Sequence, residues 1–159
     1  MASPAFESHD HQSCIADCVA SAERHCAENR LQFTKVRRRV LEILLGEHKA
    51  MGAYEILDRI RAEGLGSQPP VAYRALDFLV AHGFAHRVER LNAFIACTHS
   101  DDRHAPAFLI CRSCDHIVEA ETDPMAGELG RAAEAAGFVI ERTMREAVGL
   151  CPRCAGAEA

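Results

Sequence analysis

Cys111-Arg-Ser-Cys114 and Cys151-Pro-Arg-Cys154 are two C-x-x-C pairs with thirty-six residues between them. Each pair delivers two soft sulfur donors, and two pairs supply the four ligands of a closed tetrahedral zinc site. A chain that carries them must fold so that residues 111 and 151 meet. A closed site leaves no coordination position for a substrate, so it staples a small domain and performs no chemistry of its own. A redox dithiol needs only one such pair, at the start of a helix after a strand. Two pairs, each at a strand end, fit a zinc knuckle, and iron on the same four thiolates is the lesser alternative.

The remaining composition narrows the class. At 159 residues, 48 % of them hydrophobic, the chain has material for one domain or two small ones. No run of eighteen apolar residues is present, so no membrane-spanning helix is expected. The N-terminus, MASPAFESHDHQ, lacks a basic start followed by an apolar stretch and does not read as a secretory signal. Eight cysteines in that context point to metal rather than disulfides, and to the cytoplasm. The net charge of −5 opposes a nucleic-acid partner only on average. Lys35, Arg37, Arg38 and Arg39 fall within five positions, and local potential rather than total charge steers a charged ligand. A solvated helix face accounts equally well for that run taken alone.

The chain is expected to be α+β: an N-terminal winged helix-turn-helix, then a small α/β domain stapled by the four cysteines. Residues 1–13 are polar and expected to be loose. Ala16 to Arg30 suits a helix. Thr34 is a candidate N-cap for a second, which Gly46 stops, and Ala53, Ile56, Leu57 and Ile60 mark a third, ended by Gly64. Pro69-Pro70 opens a fourth, with Ala72, Leu76, Leu79 and Val80 as its buried stripe and Gly83 as its close. The period then changes. Phe84, His86 and Val88 alternate, Leu91-Asn92 turns, and Ala93–Cys97 returns, which reads as a hairpin. The domain boundaries follow: 1–97 for the winged helix, 98–106 for a polar hinge, 107–159 for the second domain. In the latter, strands are expected at Ala107–Ile110, His116–Glu121 and Phe138–Val148, with a helix near Pro124–Ala136.

His86, Cys97, His104 and Glu119 form a second candidate metal set. Two imidazoles, a thiolate and a carboxylate suit tetrahedral zinc. An isolated histidine on an apolar strand face is more often a hydrogen-bonded core residue, so spacing favours the set only slightly. The loop residues His99, Asp101 and Asp102 are interchangeable with His104 on spacing alone. His9, His11, Cys14, Cys18, His25 and Cys26 read as tail and helix residues rather than a further cluster. Opposite its buried stripe, the fourth helix presents Arg74, Asp77 and Ala81, with Tyr73 on the flank. A thin face with one arginine near the helix start is what a major-groove helix needs, although a plain amphipathic surface helix shares it. No catalytic constellation is present. A zinc deaminase requires H-x-E and then P-C-x-x-C, whereas His116 and Glu119 are spaced H-x-x-E and Pro152 lies inside its pair.

The segment Pro69-Pro70-Val71-Ala72-Tyr73-Arg74-Ala75-Leu76-Asp77-Phe78-Leu79, the run Gly83-Phe84-Ala85-His86 and the paired C-x-x-C motifs resemble the ferric uptake regulator family. The nearest branch is that of the zinc uptake regulators, and the resemblance spans Cys26 to Cys154. It implies a dimeric, metal-dependent bacterial repressor that binds double-stranded operator DNA, with no small-molecule substrate and no enzymatic activity. Two zinc ions per chain are implied, a structural one on Cys111, Cys114, Cys151 and Cys154 and a regulatory one on His86, Cys97, His104 and Glu119. Tyr73 and Arg74 would contact bases, and Arg37 a phosphate. The Cys97 thiolate favours zinc over the iron- or manganese-sensing relatives. The chain departs from the family pattern at Val71, where threonine is usual, and at Lys35, where proline is common; Lys35 adds a charge near the backbone-contacting surface. An iron, manganese or peroxide sensor and a zinc-stapled protein-interaction module remain the alternatives, with a dithiol oxidoreductase behind them.

Overall fold

The computed structural model describes residues 11–47, 49–97, 105–123, 125–141 and 143–157. The chain divides into two compact units, Met1–Ser100 and Asp101–Ala159. The expected hinge falls largely on residues 98–104, outside the described ones.

In the first unit, four helices precede a two-stranded hairpin: α1 (His11–Glu28), α2 (Lys35–Leu45), α3 (Ala53–Ala62), α4 (Pro69–Ala81), β1 (Ala85–Val88) and β2 (Ala93–Ala96). The expected caps are in place. The Thr34 hydroxyl accepts from the Arg37 N–H at 3.3 Å, satisfying one of the orphan donors of α2. Gly83, in the left-handed region at φ 75°, ends α4: its N–H donates to Val80 and the N–H of Phe84 donates back to Leu79 at 2.8 Å. That paired closure aims the chain straight into β1. The apolar stripes of α2, α3 and α4 meet in one core, in which Val40, Leu44, Ile56, Ile60, Leu76 and Leu79 are fully buried.

The hairpin pairs Ala85 with Ala96 and His86 with Ile95 in antiparallel register. Its turn is a short 3-10 segment, Glu89–Leu91, followed by Asn92 in the left-handed conformation at φ 46°. Met51, between α2 and α3, exchanges two 2.8 Å hydrogen bonds with Phe94 and ties the hairpin to the helices. Val71, where the family pattern has threonine, is half-buried over Gly66. A Cβ at Gly66 would stand 2.7 Å from the Val71 Cγ1. An apolar side chain there packs the loop that leads into α4, and no side-chain cap is made at its N-terminus.

The second unit holds a three-stranded sheet in the order β4-β3-β5, from β3 (Ala105–Cys111), β4 (Ile117–Thr122) and β5 (Arg145–Gly149). β3 pairs antiparallel with β4 and parallel with β5. Helix α5 (Gly127–Ala135) provides the crossover that a parallel pair requires, and α6 (Pro152–Ala157) follows.

Three expectations need correction here. The last strand is far shorter than Phe138–Val148. Gly137 sits at φ 64° and the Phe138 N–H turns back to Ala133 at 2.8 Å, so those residues close α5 instead of starting a strand. Helix α5 itself begins at Gly127, because Asp123 first accepts the Met125 N–H through its carboxylate in a tight turn. Helix α1 begins at His11, inside the 1–13 stretch expected to be loose; α6, which no expectation covers, opens at Pro152 directly after Cys151.

Leu76→Ala is expected to lower the unfolding free energy by about 2–5 kcal/mol, because the site is fully enclosed. Urea denaturation followed by circular dichroism measures it, and a loss under about 1 kcal/mol would mean that the core re-collapses around the gap.

Candidate metal centres and nucleic-acid interface

The sulfur atoms of Cys111, Cys114, Cys151 and Cys154 all lie within 4.8 Å of one another. The sheet explains the convergence. Cys111 ends β3, Gly149 is its parallel partner on β5, and Cys151 follows two residues on. Arg112 N–H donates to Gly149 at 2.9 Å and locks the two ends together. Asp115, in the left-handed conformation at φ 56°, then turns the chain back toward β4.

Backbone donors aim at these sulfurs. The Cys151 N–H reaches the Cys111 sulfur at 3.3 Å. That bond, with further help from Ser113 and Cys114, favours the thiolate and holds the Cys111 thiol down to about 6. The Cys154 N–H likewise holds the Cys151 thiol below its ordinary value. Cys154 itself, hydrogen-bonded to Cys151, is pushed up to about 12. Neighbouring sulfurs this close cannot all ionise, so protons are shared unequally among them. A divalent cation removes that conflict, and four sulfurs around one centre fit zinc.

His86 on β1 and Cys97 just beyond β2 are both buried, and their ligand atoms lie within 4.8 Å of each other. The Cys97 N–H donates to the Phe84 carbonyl at 2.9 Å and extends the hairpin by one pair, which brings the thiol beside the imidazole. Arg87, between His86 and Val88, is exposed, but Ala85 is buried and Phe84 only partly so, and the alternation expected for β1 holds over its second half alone. Glu119 lies on β4 of the second unit, paired with Phe108. His104 lies outside the described residues, as do His99, Asp101 and Asp102.

On α4, Tyr73, Arg74, Asp77 and Ala81 form the exposed face, with Tyr73 42 % accessible. Arg74 Nε bonds the Pro70 carbonyl at 3.2 Å, which holds the guanidinium along the first turn. Lys35 is exposed at the first position of α2. The Arg37 guanidinium carbon lies over the Phe78 ring, 3.8 Å from its centroid, with one Nη donating to the Gln32 carbonyl. The rest of the basic run is spent locally. Arg38 pairs with Glu23, and Arg39 grips Glu63 through two bonds of 2.7 and 2.8 Å while reaching Glu42. Spacing could not show this, because Glu23 and Glu63 are distant in sequence. Phe78, the shelf under Arg37, carried no signal either.

A curated relative, the zinc uptake regulation protein of Escherichia coli (strain K12), is 34 % identical over 144 residues, covering 90 % of this chain and 84 % of the relative. The chain belongs to the ferric uptake regulator family, in its zinc uptake regulator branch. A solved structure of a zinc uptake regulator complexed with zinc and DNA superposes with a TM-score of 0.84 at 33 % identity, over 91 % of this chain and 97 % of that one. The structure of holo XcZur gives 0.79 at 40 % identity, over 88 % and 98 %. No family model matches the chain. Among the described residues of this family member, no helix is long and apolar enough to cross a membrane.

Cys151→Ser should remove one tightly held zinc per chain and lower the melting temperature markedly. Structural zinc contributes about 10–16 kcal/mol to small domains. Atomic emission on gel-filtered protein, alongside thermal denaturation, checks both. Full zinc content with unchanged melting would refute the assignment.

Proposed function

We propose that this chain is a zinc-responsive transcriptional repressor that binds palindromic operator DNA as a homodimer and controls zinc uptake genes in the cytoplasm. The carrying observation is the Cys97 thiol beside the His86 imidazole at the end of the hairpin, in a chain 34 % identical to a zinc uptake regulation protein. A mixed sulfur and nitrogen pair selects a borderline-soft cation such as zinc over iron or manganese, which lean on oxygen and nitrogen. Two zinc ions per chain follow from this reading. One belongs to the four cysteines, and the other to His86, Cys97, His104 and Glu119.

By sequence, two of these last ligands precede the 98–106 segment and one follows it, with His104 inside. Bound zinc supplies a cross-link there and no reaction. His86 and Cys97 fix the hairpin end, and Glu119 holds the other side of the segment. Holding both restricts the orientations open to the two recognition helices of a dimer. Those helices must stand about 34–36 Å apart to enter successive major grooves. Moving a population from 1:99 to 99:1 takes about 5.5 kcal/mol of differential binding, well within what four ligands supply.

On the DNA, the exposed Tyr73 and Arg74 of α4 are assigned to bases, and Lys35 and Arg37 to phosphates. Arginine edge-on to guanine is the commonest specific contact, and phosphate neutralisation gives the affinity and its salt dependence. The dimer reading rests on the second unit. Met125, Leu129, Phe138, Val139 and Val148 are all more than two-fifths exposed in a single chain, Val139 reaching 80 %. β5 is also a sheet edge. Apolar side chains beside an open edge are what a second copy covers.

Cys97→Ser should lose zinc-dependent binding to a duplex from the chain's own promoter while remaining a folded dimer. Fluorescence anisotropy across a zinc titration, with sedimentation velocity on the same sample, tests it. Titrations with iron(II) and manganese(II) expose a sensor of another metal. An unfolded or monomeric Cys97→Ser protein would show that Cys97 is structural. Val139→Glu should shift sedimentation toward the monomer, and an undisturbed dimer would place the interface elsewhere.

A further inference from the structure

Resting on the reading of Cys97 as a metal ligand and Arg37 as a phosphate contact, we propose that Phe78 and Phe84 are positioning residues. They carry the order of the hairpin end to the Arg37 guanidinium through a stack of rings inside the first unit.

The stack is continuous. Cys97 N–H donates to the carbonyl of Phe84 at 2.9 Å, so the residue that fixes the thiol also fixes the backbone of Phe84. The Phe84 ring meets His25 edge-on at 5.4 Å and lies 6.5 Å from His82. His82 packs on Phe78 at 4.5 Å, and Phe78 carries Arg37 at 3.8 Å. These residues come from the end of α1, the start of α2, the end of α4 and the entry to β1, where the helices and the hairpin converge.

Each link has a physical role. A guanidinium stacked on a ring keeps its N–H edge for a phosphate while its face is held by the quadrupole. The Gln32 carbonyl takes one Nη donor and sets the rotation about that face. His82 is pushed below its ordinary value, first by burial and then by His25 and Arg37. It therefore packs on Phe78 as a neutral ring and adds no repulsion to the cation. Loss of order at Cys97 frees Phe84, and with it the packing that keeps the shelf under Arg37 level.

The test uses full-length, zinc-loaded protein and operator duplex, with affinity measured over a range of salt. Each phosphate contact contributes about 0.9 to the slope of log K against log salt. Arg37→Ala should flatten the slope by about that amount per subunit. Phe78→Leu should flatten it similarly and weaken DNA binding several-fold, with zinc content and chelator-competed zinc affinity unchanged. Added to Arg37→Ala, it should have no further effect. Phe84→Leu, or Phe84→Met should the first variant fold poorly, should shrink the enhancement of DNA binding by zinc. A flat response to Arg37→Ala would overturn the phosphate reading itself. A slope lost with Arg37→Ala but kept with Phe78→Leu would overturn the positioning role alone. An unchanged zinc enhancement in a folded Phe84 variant would cut the link to the hairpin.

Discussion

Four sulfur atoms within 4.8 Å of one another set the terms for the second unit. Left to protons, the cluster splits into low and high members, with Cys111 near 6 and Cys154 near 12. Backbone N–H donors favour the Cys111 thiolate while Cys154 keeps its proton in a bond to Cys151, and a divalent cation would take that proton's place. The geometry that brings these sulfurs together is the sheet. β3 and β5 run parallel and end together, so the cysteines after each must converge. Among its described residues the unit has few large buried side chains, chiefly Phe108, Ile110, Ile117 and Val118. A core that thin gains much from a cross-link at the point where its central strand and its last strand terminate.

Among the described residues, the first unit holds no cluster of this kind. Three helices bury Leu44, Ile56, Ile60, Leu76 and Leu79 completely, and the hairpin is fastened to them through Met51 and Phe94. This rigidity is what allows α4 to hold Tyr73 and Arg74 outward with a fixed phase. It also decides which cations remain for DNA. Arg38 and Arg39 are committed to Glu23, Glu42 and Glu63, and such pairing holds the Glu63 carboxyl below its usual range. Of the four charges in the run, Lys35 and Arg37, both in the first turn after the Thr34 cap, are those the fold leaves outside carboxylate pairs among the described residues.

Local rules made much of this legible. Thr34, Gly46, Gly64 and Gly83 marked helix ends because capping is decided within a few residues, and the C-x-x-C spacing announced its cluster for the same reason. Long-range facts were not legible. The parallel partner of β3 depends on a crossover, and the fate of Phe138 depends on a glycine turning the helix end back on itself. A stretch that opens on Phe138-Val139-Ile140 and ends on Ala147-Val148 reads as a strand when that turn is overlooked. The ion pairs of Arg38 and Arg39 and the ring beneath Arg37 join residues that no short window contains.

The two metal sets differ in a way that suits different tasks. Four thiolates in a preorganised, hydrogen-bonded cluster would hold zinc as part of folding, so that their occupancy would follow folding rather than supply. His86 and Cys97, by contrast, offer a buried nitrogen and sulfur pair at the end of a hairpin, not a complete ligand set among the described residues of their unit. Thermodynamic reciprocity then follows. If zinc at His86 and Cys97 favours the DNA-binding arrangement, operator DNA must tighten zinc there by the same factor. The cysteine cluster, complete within one unit, has no such arrangement to select, so DNA leaves its affinity unmoved.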